Sequence, residues 1–114
     1  MKVMNPRKLT PSMSLLLVFE ASARHESYTR AADELALSQS AVSRQVQALE
    51  EQLGAALFRR QGRSVKLTEV GRRYHSELRP ALDRIRQATL QAMSSQSGLS
   101  LIHISEPTRR RGIS

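Results

Sequence analysis

The chain has 114 residues, 18 Lys and Arg against 10 Asp and Glu, and so a formal charge of +8, with no cysteine and no tryptophan. That length suits one compact domain and excludes a two-domain enzyme with a deep cleft. The absence of cysteine excludes disulfides, thiol nucleophiles, thiolate zinc sites and iron–sulfur clusters, and an isoelectric point of about 11.3 points to a polyanionic partner.

Residues 1–11 are mostly polar, with Pro6 and Pro11, and read as a loose arm. Leu15 to Phe19 is the longest apolar run, too short for a bilayer span or a signal-peptide core, so no membrane partner and a cytoplasmic location are expected. From Ser12 to Arg24, Leu15, Leu16, Phe19 and Ala23 share one helical face, and Ser12 is placed to cap it. His25 to Tyr28 breaks the pattern. Thr29 then offers a cap for a short helix, Arg30 to Leu35, whose small Ala31 and Ala32 let another helix cross closely. Ala36 to Ser38 reads as a turn. Ser38 caps a third helix through Leu53, with Val42, Val46, Leu49 and Leu53 spaced four, three, four and Gly54 as its terminator. Leu57–Arg60 and Val65–Leu67 read as strands of a hairpin turning at Gln61-Gly62-Arg63-Ser64. Thr68 caps a long helix from Glu69 to about Met93, with Pro80 expected to kink it. Its stripe of His75, Leu78, Leu82, Ile85, Thr89 and Ala92 fits either its own domain or a second chain. A helix projecting beyond a filled core favours the second chain, with Leu78, Leu82, Ile85 and Thr89 at a homodimer seam. Residues 94–114 read as a linker and tail, with a strand hint at Leu99–Ile104 and a basic end at Arg109–Arg111.

The fold class is therefore mostly α: three helices and a two-stranded wing over 12–67, then a linker helix over 68–93. Helix, short turn, helix followed by a basic hairpin is a winged helix-turn-helix. The third helix exposes Gln39, Ser40, Ser43, Arg44 and Gln47, side chains that read base edges or grip phosphates in a major groove. Arg44 can reach a guanine edge or a phosphate. Ser38 is a cap first and a phosphate ligand second. Arg30, Arg59, Arg60 and Lys66 are candidate phosphate contacts, and Arg63, at the hairpin tip, a backbone or minor-groove contact. Tyr28 and Phe58 read as packing residues. His25, His75 and His103 lack ligand spacing, so no metal or cofactor is expected. Asp33, Glu34, Glu50 and Glu51 are expected on helix exteriors, with no triad among them, which speaks against an enzyme.

A family resemblance runs from about Leu15 to Met93. It is carried by Phe19-Glu20-Ala21, Ala23-Arg24-His25, Ser27 to Leu35, Ser38 to Val46, Leu49-Glu50, Leu53-Gly54, Leu57 to Arg60 and Leu67 to Gly71. In this order and spacing the segments resemble the N-terminal region of LysR-type transcriptional regulators. Ala23 to Ala32 is similar to the branch that includes the glycine-cleavage activator. The resemblance implies duplex-DNA binding by dimers that activate or repress transcription, with Thr29, Arg30, Gln39, Ser40, Ser43 and Arg44 at the DNA and the wing arginines flanking it. Family members continue into an effector-binding α/β domain. Leu99 to Arg109 instead resembles a translated sequencing adapter, so the residues after about 98 are expected to be non-native and no small effector is expected to bind this chain. An alternative reading is an interaction module that pairs with intact regulators without regulating by itself.

Overall fold

The structure is a computed structural model and describes residues 9–97. Three helices come first: α1 (Met13–His25), α2 (Tyr28–Leu35) and α3 (Gln39–Leu53). A hairpin of β1 (Phe58–Gln61) and β2 (Ser64–Leu67) follows, and then a long helix, α4 (Glu69–Ser97). The mostly helical class and the two-stranded antiparallel wing expected from the sequence are both present. The described chain divides into two compact units between Arg79 and Pro80.

In the first unit, α1, α2 and α3 pack against one another. Phe19 and Ala21 of α1, Ala31 of α2, and Val42 and Leu49 of α3 are fully buried. Both adjacent alanines of α2, Ala31 and Ala32, are buried in this core. The wing closes this core from one side with Leu57, Phe58 and Val65. Phe19 is the hub of a ring cluster, its centroid 5.6 Å from Phe58, 5.5 Å from Tyr74 and 6.0 Å from His75. Edge-to-face rings at such separations add to the burial of their surface.

The helix ends follow local chemistry. Ser12 Oγ accepts the Leu15 N–H at 3.2 Å, and Ser38 Oγ accepts that of Ala41 at 3.1 Å. For α2 the cap is Ser27 rather than Thr29, and the helix starts at Tyr28. Glu26 is left-handed (φ 49°), Ser27 is extended, and Ser27 Oγ accepts the Arg30 N–H at 3.1 Å. That leaves Thr29 inside the first turn. At the other end of α2, Ala36 is left-handed (φ 57°), and the Leu37 N–H donates to Ala32 O at 2.9 Å. This is a Schellman closure, and it forms the turn into α3.

The strands pair in the register Phe58↔Leu67, Arg59↔Lys66, Arg60↔Val65 and Gln61↔Ser64. Gly62 (φ 62°) opens the two-residue loop, as in a type II′ turn. At the base of the wing, the Thr68 N–H donates to Leu57 O at 2.9 Å. Thr68 Oγ1 donates to Ala56 O at 2.7 Å and accepts the Gly71 N–H at 3.0 Å. Thr68 thus caps α4 and ties it to the segment entering the wing. Gly71 is buried where a Cβ would overlap the Leu57 carbonyl.

The helix α4 runs through Pro80 and on to Ser97, past the expected end near Met93. Serine and glutamine cost a helix only a few tenths of a kcal/mol each, so Ser94 to Gln96 do not stop it. The strand hint and the arginine run beyond them lie outside the described residues.

Candidate nucleic-acid interface

The α3 helix has two edges of opposite character. Val42, Val46 and Leu49 face the core, while Gln39, Ser40, Arg44 and Gln47 are exposed and Ser43 is half-buried. The spacing of valine and leucine at four and three residues fixes this orientation, and the polar residues fall on the remaining arc. Ser38 is exposed and occupied as the cap, its hydroxyl also 3.4 Å from Ser40 Oγ. Thr29 and Arg30 are exposed at the start of α2.

Gln39, Ser40, Ser43 and Arg44 share an open groove of about 480 Å³ with Tyr28 of α2 and Arg60 of the wing. Sequence reading placed the recognition residues and Arg60 in one site but left Tyr28 out of it. Tyr28 does pack, its ring 5.6 Å from Phe58 at 85°, and the same ring forms part of the groove wall. Arg59 and Arg60 are exposed on β1, and Arg63 is exposed at the loop. Among the described residues, none of Arg30, Arg44, Arg59, Arg60 and Arg63 has a carboxylate partner. Lys66 differs, with its Nζ 3.4 Å from Glu26 Oε1. Arg59 and Lys66 stand directly opposite across the wing. Like charges in that position repel, and an anion laid along the hairpin relieves the repulsion.

One carboxylate expected on a helix exterior lies behind the groove instead. Glu50 Oε2 accepts the Leu57 N–H at 2.7 Å and the Phe58 N–H at 3.2 Å. It is half-buried, not a free exterior acid. The only hint was its place seven residues before Leu57, where the chain had to turn back.

A second carboxylate cluster braces the side of the core. Glu20 is buried, its side chain 7 % exposed, with Arg24 Nη2 at 2.9 Å, His75 Nε2 at 3.3 Å and Arg79 Nε at 4.0 Å. Burial alone would raise its pKa, and the hydrogen bonds from Arg24 and His75 outweigh that and hold it below 4.5. Arg24 also bridges to Glu34 at 2.7 Å, and His25 Nε2 lies 2.7 Å from Glu34 Oε1. These contacts, Arg24 first, draw Glu34 down to about 2. His75 therefore serves this cluster and leaves the head of the expected seam. Further along that stripe, Leu78 is 9 % exposed and Leu82 2 %, whereas Ile85 is 45 % exposed and Thr89 is exposed with its hydroxyl donating to Ile85 O. Among the described residues there is no group of three or more His, Asp or Glu placed to hold a metal, and no helix long and apolar enough to cross a membrane.

Comparison with known proteins matches this geometry. The chain is 45% identical over 96 residues to the glycine cleavage system transcriptional activator of Escherichia coli (strain K12), covering 82% of this chain and 32% of that protein. It is 62% identical over 61 residues to the RuBisCO operon transcriptional regulator of Allochromatium vinosum, covering 54% of this chain and 20% of that protein. The chain thus spans about a third or less of the length of these relatives. Among solved structures, the BenM DNA-binding domain in complex with catB site 1 DNA superimposes with a TM-score of 0.72 at 34% identity, covering 78% of this chain and 100% of that one. The CbnR DNA-binding domain in its DNA complex gives 0.68 at 29% identity, covering 75% and 99%. Residues 13–72 match the family model for bacterial regulatory helix-turn-helix proteins of the lysR family, and the chain belongs to that family.

Proposed function

We propose that the chain binds duplex DNA sequence-specifically and regulates transcription, with α3 in the major groove and the wing beside it. Gln39, Ser40, Ser43 and Arg44 supply base-edge contacts, with Gln47 one turn further on. Thr29, Arg30, Arg59, Arg60 and Lys66 hold phosphates, Ser38 lends its helix N-terminus, and Arg63 reaches the backbone or the minor groove. The observation that carries this reading is the pairing of an exposed polar edge on α3 with wing arginines that have no carboxylate partner among the described residues. DNA in the complexes of the BenM and CbnR domains supports it. The chain works as a homodimer through the exposed part of the α4 stripe, in the cytoplasm, and makes or breaks no bond.

The test is selection of duplexes from a random pool at two salt concentrations. An enriched two-fold symmetric motif establishes specific binding by a dimer. Arg44→Ala is expected to cost about 1–3 kcal/mol on the enriched duplex and little on random duplex. An equal loss on both assigns Arg44 to a phosphate, and failure to enrich any sequence refutes specific recognition.

A further inference from the structure

The groove contains a donor that the contacts above do not use. Tyr28 is the first residue of α2, its ring held edge-on against Phe58. It lines the groove with Gln39, Ser40, Ser43, Arg44 and Arg60, and also a neighbouring cavity of about 180 Å³ between α3 and the wing. Among the described residues nothing donates to or accepts from its hydroxyl, and that oxygen is not sealed from solvent. A phenol serving only to fill the core has no need of an unpartnered hydroxyl, and phenylalanine would pack as well.

We propose that the Tyr28 hydroxyl is a DNA-backbone ligand, donating a hydrogen bond to a phosphate oxygen at the junction of recognition helix and wing. This rests on the DNA-binding reading above. Phosphate is the favoured acceptor because Tyr28 lines the same open groove as Arg60, a cation assigned above to the backbone, while the nearby Glu50 carboxylate is engaged by the Leu57 and Phe58 N–H groups. Tyrosine is among the side chains that position proteins on duplex DNA in this way. Burial, then the nearby Glu50 charge, push the phenol up to about 12 against the opposing Arg60, so it keeps its proton at neutral pH. The ring's fixed packing means that little rotamer freedom is lost on binding.

Tyr28→Phe keeps the ring and removes only the donor. Its affinity is measured, with the full chain, on the duplex enriched by selection and on a random-sequence duplex over a salt series. The expected result is a loss of about three- to ten-fold on both duplexes. The dependence on salt should keep the wild-type slope, because a neutral donor displaces no counterion, whereas Arg60→Ala should flatten it. The melting temperature should match the wild type. Unchanged affinity on both duplexes overturns the assignment, as does a loss confined to the enriched duplex, which would mark a base contact. A lowered melting temperature accounting for the loss also overturns it. If the wild-type chain binds neither duplex, the DNA reading fails and this assignment fails with it. If the wild type binds and Tyr28→Phe equals it, only the assignment fails.

Discussion

The carboxylate of Glu50, near the end of the recognition helix, accepts the backbone N–H of Leu57 at 2.7 Å, just where the chain enters the wing. The same oxygen takes the Phe58 N–H. One side chain thus sets how β1 leaves α3, and with it where Arg59 and Arg60 stand relative to Arg44. Removing it leaves two backbone donors short of a partner. Glu50→Ala is expected to lower stability by about 1–3 kcal/mol in denaturant unfolding. A variant as stable as the wild type would show that water replaces the carboxylate at no cost.

The turn between α2 and α3 stores backbone strain at Ala36, a non-glycine residue with φ 57°. Left-handed geometry costs an L-residue about 1 kcal/mol. Ala36→Gly relieves it while giving the unfolded chain more freedom, so a net gain of a few tenths of a kcal/mol to about 1 kcal/mol is expected. Thermal melting checks the sign. A fall would mean that the unfolded-state entropy dominates.

Acid should loosen the brace around Arg24. Glu34 has a folded pKa of about 2 against an ordinary 4.5, and Glu20 is also lowered. A carboxylate depressed in the folded state stabilises fully above its unfolded pKa, and its contribution fades as pH falls. Glu34's share should therefore vanish between about pH 4.5 and about pH 2. Melting temperatures followed through that window should fall less steeply for Glu34→Gln than for the wild type. Parallel curves would assign the acid response to other groups. Glu34 is well exposed, so solvent screening keeps its share small.

The proposed dimer seam on α4 gives a test that separates association from stability. Ile85 is 45 % exposed in the single chain. Ile85→Asp should weaken self-association, read as a shift from dimer to monomer mass in sedimentation, with little change in monomer stability. An unchanged dimer would place the interface elsewhere.

Most elements were legible because their signals are local. Valine and leucine spacing located α3 and its inward edge, Ser12, Ser38 and Thr68 announced helix starts, and Gly62 marked the hairpin loop. The misplaced cap of α2 shows the limit. Ser27 and Thr29 are both good caps, and the left-handed Glu26 decides between them, which no propensity reveals. Long-range polar pairs left no trace in the sequence. His75 fitted a heptad stripe by spacing, yet its partner Glu20 lies 55 residues away in the chain. Tyr28 was legible as a packing residue, but its place on the groove wall depends on how the wing folds back.

Gly71 sets how closely the root of α4 approaches the base of the wing. Where helix meets strand base, no side chain stands between the α4 backbone and the Leu57 carbonyl. An added Cβ would overlap the Leu57 carbonyl oxygen and stand 3.0 Å from the Leu67 side chain. Gly71→Ala is therefore expected to force the opening turn of α4 away from Leu57, which precedes Arg59 by two residues. One methyl group at this position should thus alter the reach of the basic hairpin without touching any side chain of the groove.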